Sequence, residues 1–261
     1  NISELASNGT HEGTNRYEYG DVDLKSETSF QLDAGLELNY EHFNISVSAF
    51  YNSINNFIFY RKLESVFGGD SLVNVNGDDI TAFKFSQQDA MLTGVEATFD
   101  IHPHPLDWLH FENNFSFVRG TFKNGIDNSK NLPMIPAARW VSELRANFNK
   151  AGKSFSNLYV KLEADNMFDQ DKAFTGYNTE TSTKGYTLLN AGLGSDILGK
   201  NKKTLLSVYL ALNNLTDKAY QNHLSRLKYA AENMVTGRTG VFNMGRNFSI
   251  KLNIPLEFSW K

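Results

Sequence analysis

Between residues 29 and 40 the chain alternates without interruption. Phe30, Leu32, Ala34, Leu36, Leu38 and Tyr40 fall on one side of a two-residue period, and Ser29, Gln31, Asp33, Gly35, Glu37 and Asn39 on the other. That period belongs to an extended strand with one apolar face. Residues 43 to 52 repeat it, with Phe43, Ile45, Val47, Ala49 and Tyr51 against Asn44, Ser46, Ser48 and Asn52; only Phe50 breaks the polar side. The final run is the cleanest: Phe248, Ile250, Leu252, Ile254, Leu256, Phe258 and Trp260 alternate with Asn247, Ser249, Lys251, Asn253, Pro255, Glu257 and Ser259. With the intervening runs, the pattern predicts nine strands, at 28–40, 43–60, 80–102, 107–122, 137–149, 155–170, 185–197, 203–221 and 245–260.

The connections carry a second pattern. They are short at 41–42, 103–106, 150–154 and 198–202, and long at 61–79, 123–136, 171–184 and 222–244, in strict alternation. Because hairpin strands reverse direction, every short turn falls on one rim and every long loop on the other. Transmembrane β-barrels have this asymmetry, with short periplasmic turns and long extracellular loops. A soluble all-β protein shares the two-faced strands but gives no reason for one rim to collect the long loops. The expected fold class is therefore all-β, an antiparallel transmembrane β-barrel. Residues 1–27 would form an extracellular loop segment, and 28–261 the strands with their turns and loops. Trp108, Trp140 and Trp260 stand near strand ends, where aromatic girdles lie. Nine is an odd number and single-chain bacterial barrels close on even counts, so the strands are expected to be one segment of a larger barrel. The chain starts at Asn1 with no initiator Met or signal peptide, which an exported protein needs, so that start is read as not the natural one.

Composition narrows the chemistry. The 25 basic and 29 acidic residues are spread along the chain for a net charge of -4, which offers no field for nucleic acid. Cysteine is absent, removing disulfides, thiolate metal sites and a Cys nucleophile together. A mean hydropathy of -0.40 argues against spanning helices but not against barrel strands, in which only every second residue meets lipid.

Four short motifs occur in order. Tyr19 to Ser29 reads YGDVDLKSETS; Gly94, Val95 and Glu96 form a G-x-E strand motif; Asn214, Leu215, Thr216, Asp217, Lys218, Ala219 and Tyr220 follow an N-L-x-D-x-x-Y pattern; and Gly245, Arg246, Asn247 and Phe248 open the terminal run. Together they resemble the C-terminal portion of the TonB-dependent outer-membrane receptor barrel, over essentially the whole chain. Asp21 and Val22 depart from that family's usual Asn-Pro, and Ser259 to Lys261 extend past its usual terminal aromatic. The resemblance implies a barrel of about 22 strands with a plugged lumen, of which this chain supplies about nine. It further implies an energised importer of a scarce nutrient, either a metal ion such as zinc or an iron-siderophore or haem. Its partners would be outer-membrane lipid, the TonB complex acting through a plug and TonB box outside these residues, and the barrel-assembly machinery, which would recognise Phe258 or Trp260. The competing class is a passive channel or a structural or adhesive barrel without energy coupling.

No P-loop, dinucleotide fingerprint, H-E-x-x-H or G-x-S-x-G motif occurs, so neither an enzyme nor a cofactor is expected. Asp33, Glu37, Glu96, Glu112, Glu143, Glu163, Arg145, Lys161 and Lys251 fall on the polar faces and read as the lining of a wet lumen rather than as catalytic acids. Three histidines bear on ligand binding. His102 and His104 flank a short turn, where polar turn chemistry is the simpler reading of an H-x-H pair. His11 with Glu12 lies before the first strand, in a string that resembles a loop of receptors for zinc or copper, and imidazole plus carboxylate suits such ions. His223 opens the last long loop and is expected to approach the same vestibule. That loop also carries Leu224, Leu227, Ala230, Ala231 and Met234 at helical spacing, which predicts a short helix.

Overall fold

Residues 2–14 and 16–256 are described in a computed structural model of the chain, Glu12 and Lys150 by their backbone alone. Nine long strands form it: β1 (Thr28–Asn39), β2 (Phe43–Lys62), β3 (Asp78–Ile101), β4 (Leu109–Ile126), β5 (Arg139–Lys150), β6 (Phe155–Met167), β7 (Tyr186–Leu198), β8 (Thr204–Asn213) and β9 (Asn247–Asn253). Each pairs antiparallel with the next, an up-and-down meander whose first and last strands do not meet. The sheet is thus an open wall, a segment of a barrel. The turns at 40–42, 102–108, 151–154 and 199–203 are short, and the connections at 63–77, 127–138, 168–185 and 214–246 are long.

The register carries the alternation across the wall. Leu36 pairs with Val47, Val47 with Ala97, Ala97 with Phe115 and Phe115 with Trp140, so the apolar residues of successive strands align in rows on one face. That face is uncovered: Leu32, Leu162 and Ile250 are 62%, 56% and 58% exposed. Leucines at such exposure along a whole sheet face need an apolar surrounding, which a bilayer supplies. The other face carries ion pairs. Lys161 Nζ lies 2.6 Å from Glu143 Oε2 and 3.2 Å from Glu163 Oε2, and Arg139 grips Asp165 with two bonds of 2.8 Å. Phe50, out of place in the alternation, lies on this polar face opposite Gly94, where a Cβ would come within 2.2 Å of its ring. Gly94 leaves room for the ring to lie across the strand, as Gly194 does for Tyr159 and Tyr209.

The buried core sits where the long loops begin, on the polar face. The β2–β3 register slips by one between Ile54 and Phe57, next to Asn56 with its φ of 56°. This bulge turns Phe57 and Phe59 from the apolar face to the polar one. Phe59, Ala90, Phe122, Leu132 and Phe174 are buried together there, roofed by residues of the loops 127–138 and 168–185.

Three expectations need correction. The eighth strand ends at Asn213, not at 221: Asn214 and Asp217 adopt φ of 52° and 53°, and the Asn214 side chain bonds both the N–H and the carbonyl of Lys218, closing a turn. The ninth starts at Asn247 and its ladder ends at Asn253. The last loop forms no helix beyond a 3-10 turn at Arg226–Tyr229, followed by a two-residue hairpin, because Ala230 is extended and Gly237 and Gly240 take positive φ. The Leu227 and Met234 side chains are 60% and 92% exposed, so their spacing marks no buried face.

Candidate functional site

The long-loop rim is where the chain folds back over its own wall. The leading segment contributes a hairpin, Asn8–His11 against Arg16–Tyr19. Its second strand adds in parallel to β3 at Ala82–Lys84, beyond the end of the β3–β4 ladder. Arg16 is buried there, its Nε 2.6 Å from Glu18 Oε1 and its guanidinium 3.7 Å above the Tyr60 ring. Burial and the neighbouring Arg16 charge hold the Arg226 guanidinium below its ordinary pKa. The last loop therefore reaches back toward the leading hairpin.

His11 is exposed, its Nδ1 3.1 Å from Thr14 Oγ1, and it helps line a cleft of about 260 Å³ with Ser3, Ser7, Asn8, Thr10 and Glu18. The Glu12 side chain lies outside the described residues, as do Phe258 and Trp260. His223 is placed differently. It is 5% exposed, with Nδ1 2.9 Å from Thr183 Oγ1 and 3.3 Å from Lys228 Nζ. An ammonium only donates, so Nδ1 is the acceptor of that contact, and the other nitrogen faces Glu180 at 3.8 Å. Glu180 in turn accepts the backbone N–H of Met134 and of Phe174. Three long loops are knotted through these side chains, and neither His223 nitrogen points into open space. His11 and His223 are not brought into one metal-competent group; among the described residues the only such group of three or more is Asp100, His102 and His110, at the short-turn rim.

The tryptophans mark the two ends of the apolar face. Trp108 stacks on Phe148 beside the short turns. Trp140, the second residue of β5 at the long-loop end, packs on Phe115 and donates its indole N–H to Asn113 at 3.1 Å. Two of the sequence motifs prove to be parts of one structure. Asp217, in the turn after β8, accepts the Arg246 N–H at 2.8 Å; Arg246 Nε donates to the Leu215 carbonyl at 3.0 Å; and a Cβ at Gly245 would lie 2.6 Å from Asp217 Oδ1. Only their co-occurrence in the sequence marked this pairing.

An antiparallel meander with one lipid-ready face, one charged face and long loops confined to one rim defines a segment of a membrane β-barrel wall. Residues 1–215 match the family model described as TonB dependent receptor-like, beta-barrel, and the chain belongs to that family. Solved structures share the fold. The chain is similar to the copper transporter OprC (16% identity, TM-score 0.69, covering 90% of this chain and 32% of that one). It is also similar to the FrpB iron transporter from Neisseria meningitidis, F5-1 variant (14%, 0.59, 92% and 33%), and to the ferric yersiniabactin uptake receptor FyuA from Yersinia pestis (16%, 0.56, 87% and 30%). The chain spans about a third of the length of these structures.

Proposed function

We propose that this chain is the C-terminal barrel wall of an outer-membrane, TonB-dependent importer of a scarce metal nutrient, either an ion such as zinc or an iron-siderophore or haem. The long loops would face the exterior and the short turns the periplasm. The observation that carries the reading is the knotted long-loop rim, in which loops and leading hairpin pack inward over the polar face. Passive channels have no need of a roof built from their own loops, whereas a receptor holds its ligand beneath one. His11 and Glu12 would supply ligand contacts at the cleft beside Glu18, and His223 would hold the loops that shape it. Trp108 and Trp140 would anchor the wall at the two interfaces, with Phe258 and Trp260 presented to the assembly machinery. Energy would arrive from the TonB complex through a plug elsewhere in the polypeptide. The metal and siderophore transporters of the same fold support this class of cargo.

The test is growth of a deletion strain, complemented with the full-length gene, under zinc limitation and under iron limitation with haem or siderophore supplied. A defect that disappears on complementation and reappears when TonB is removed is expected. Uptake that persists without TonB would mark a passive channel, and a defect confined to iron limitation would eliminate the zinc cargo.

A further inference from the structure

We infer that the short-turn rim carries a binding site for a divalent transition-metal ion of the zinc type, made by Asp100, His102 and His110 with His42 beside them. Three strands deliver these groups. His42 precedes β2, Asp100 and His102 lie at and just beyond the end of β3, and His110 is the second residue of β4. Phe43 pairs with Ile101 and Ile101 with Phe111, and the His102 N–H bonds the His42 carbonyl at 3.0 Å, so the three histidines form a row across the sheet. The His42 and His102 ring centroids are 6.2 Å apart, and those of His102 and His110 5.2 Å.

The ligand atoms are already spaced for an ion. Asp100 Oδ2 lies 3.2 Å from His110 Nδ1 and 3.5 Å from His102 Nδ1. Zinc bonds of roughly 2.0–2.1 Å in a tetrahedron place neighbouring ligand atoms about 3.3 Å apart. The protonation pattern points the same way. His102 Nε2 donates to the Glu41 carbonyl at 2.7 Å, which puts the proton there and the lone pair on Nδ1. In the neutral ring that lone pair faces the Asp100 carboxylate oxygen at 3.5 Å. A backbone carbonyl on the far nitrogen is also the usual outer partner of a metal-bound imidazole.

Unpaired atoms make the second observation. Among the described residues, seven buried side-chain polar atoms lack a hydrogen-bond partner, and three of them are His42 Nδ1, Asp100 Oδ1 and His102 Nδ1. Buried polar atoms left bare cost free energy, and a cation held by Asp100 and His102 would satisfy the two that belong to the group, with His42 beside them. Access is open, since a cavity of about 550 Å³ lined by Asp107, Trp108, His110 and Arg145 adjoins the group. On uptake, the His110 Nδ1 proton moves to Nε2, freeing the lone pair without net proton loss. Two imidazoles and a carboxylate suit a borderline divalent ion better than calcium or magnesium. The site is independent of whatever cargo the receptor carries.

The test uses the full-length receptor, purified in detergent, stripped with chelator and titrated with Co²⁺ as a spectroscopic probe. One Co²⁺ per chain with visible tetrahedral absorption, displaced by Zn²⁺, is expected. His102→Asn and His110→Asn should each weaken binding beyond the roughly 10–100-fold that outer-shell changes cause, whereas Asp169→Asn at the other rim should bind as wild type. Should the histidine variants fail to assemble, X-ray absorption of the zinc-loaded wild type decides: two imidazoles in the first shell support the site, and a shell without imidazole overturns it. A Co²⁺ signal that instead follows His11→Ala belongs to the long-loop rim and overturns the assignment, without touching the importer reading.

Discussion

The two rims of the wall handle polar groups in opposite ways. At the long-loop rim, Glu180, His223 and Lys228 are buried and partnered, with the half-buried Thr183 bonding two of them, and an aromatic cluster lies beneath the loops. At the short-turn rim, four of the six histidines gather with Asp100 and Asp107, and among the described residues three buried polar atoms have no hydrogen-bond partner. Long loops have enough chain to fold in and satisfy one another, whereas turns of a few residues can only present what they carry. The first rim is largely satisfied, with Arg61 Nε and Thr179 Oγ1 as its bare buried atoms among the described residues, whereas at the second the bare atoms gather in one cluster.

The contrast can be broken most forcefully at Phe174, which is fully buried. Phe174→Ala should cost about 3–5 kcal/mol. Deuterium uptake should rise in 127–138 and 168–185 while the short turns remain protected; uniform exchange across both rims would remove the distinction. Next comes Glu180→Ala, which strips two backbone N–H groups of their acceptor and should cost roughly 1–3 kcal/mol at the buried Phe174 N–H and less at Met134, which is exposed. Faster proteolysis within 168–185 and 214–246 is the expected readout. At mid-wall, Gly94→Val should cost about 1–3 kcal/mol by overpacking against Phe50 and the Phe117 carbonyl, and Phe50→Ala should recover the part owed to the ring in a thermal melt of the assembled barrel.

At the short-turn rim the expected effect is smaller. Without metal, His102→Asn should cost no more than about 0.5–1.5 kcal/mol, the worth of the Nε2 hydrogen bond to the Glu41 carbonyl, with nothing further lost at Nδ1. A large destabilisation would mean that the turn rim is as fully satisfied as the loop rim. The smallest effect concerns pH. The Lys184 ammonium and the Gly185 N–H hold the Asp169 carboxyl below the usual carboxylate range. Its folded-state pKa is depressed, so its contribution is present above the unfolded value and is lost as the pH falls through the folded one. Pepsin cleavage in 168–185 should therefore rise as the pH drops below that of an ordinary aspartate, and Asp169→Asn should flatten the dependence.

Much of the wall was legible because alternation is a property of neighbouring residues. The nine strands, their order and the loop asymmetry follow from it, and the charged face falls where Glu143, Lys161 and Glu163 placed it. What escaped depends on residues distant in sequence. Odd-numbered aromatics run from Phe43 to Phe59, and only the register with β3 reveals that the chain slips at Asn56 and turns Phe57 and Phe59 inward. The run through Tyr220 looked extended, but the Asn214 side chain closes it into a turn. His42 drew no notice beside the H-x-H pair, since its neighbours arrive across the sheet. The H-x-H spacing of His102 and His104 reads as turn chemistry, and the close ring partner of His102 arrives from the next strand as His110.

The clasp between Asp217 and Arg246 has a consequence for variation. It fastens the start of the longest loop to its end, so everything between hangs from a closed neck. The entropy of joining those ends grows only slowly with the length of chain between them, about 0.6 kcal/mol for each doubling. Such an appendage can be lengthened, shortened or exchanged between receptors while β8 and β9 keep their register. Sequence change can therefore accumulate there without renegotiating the wall.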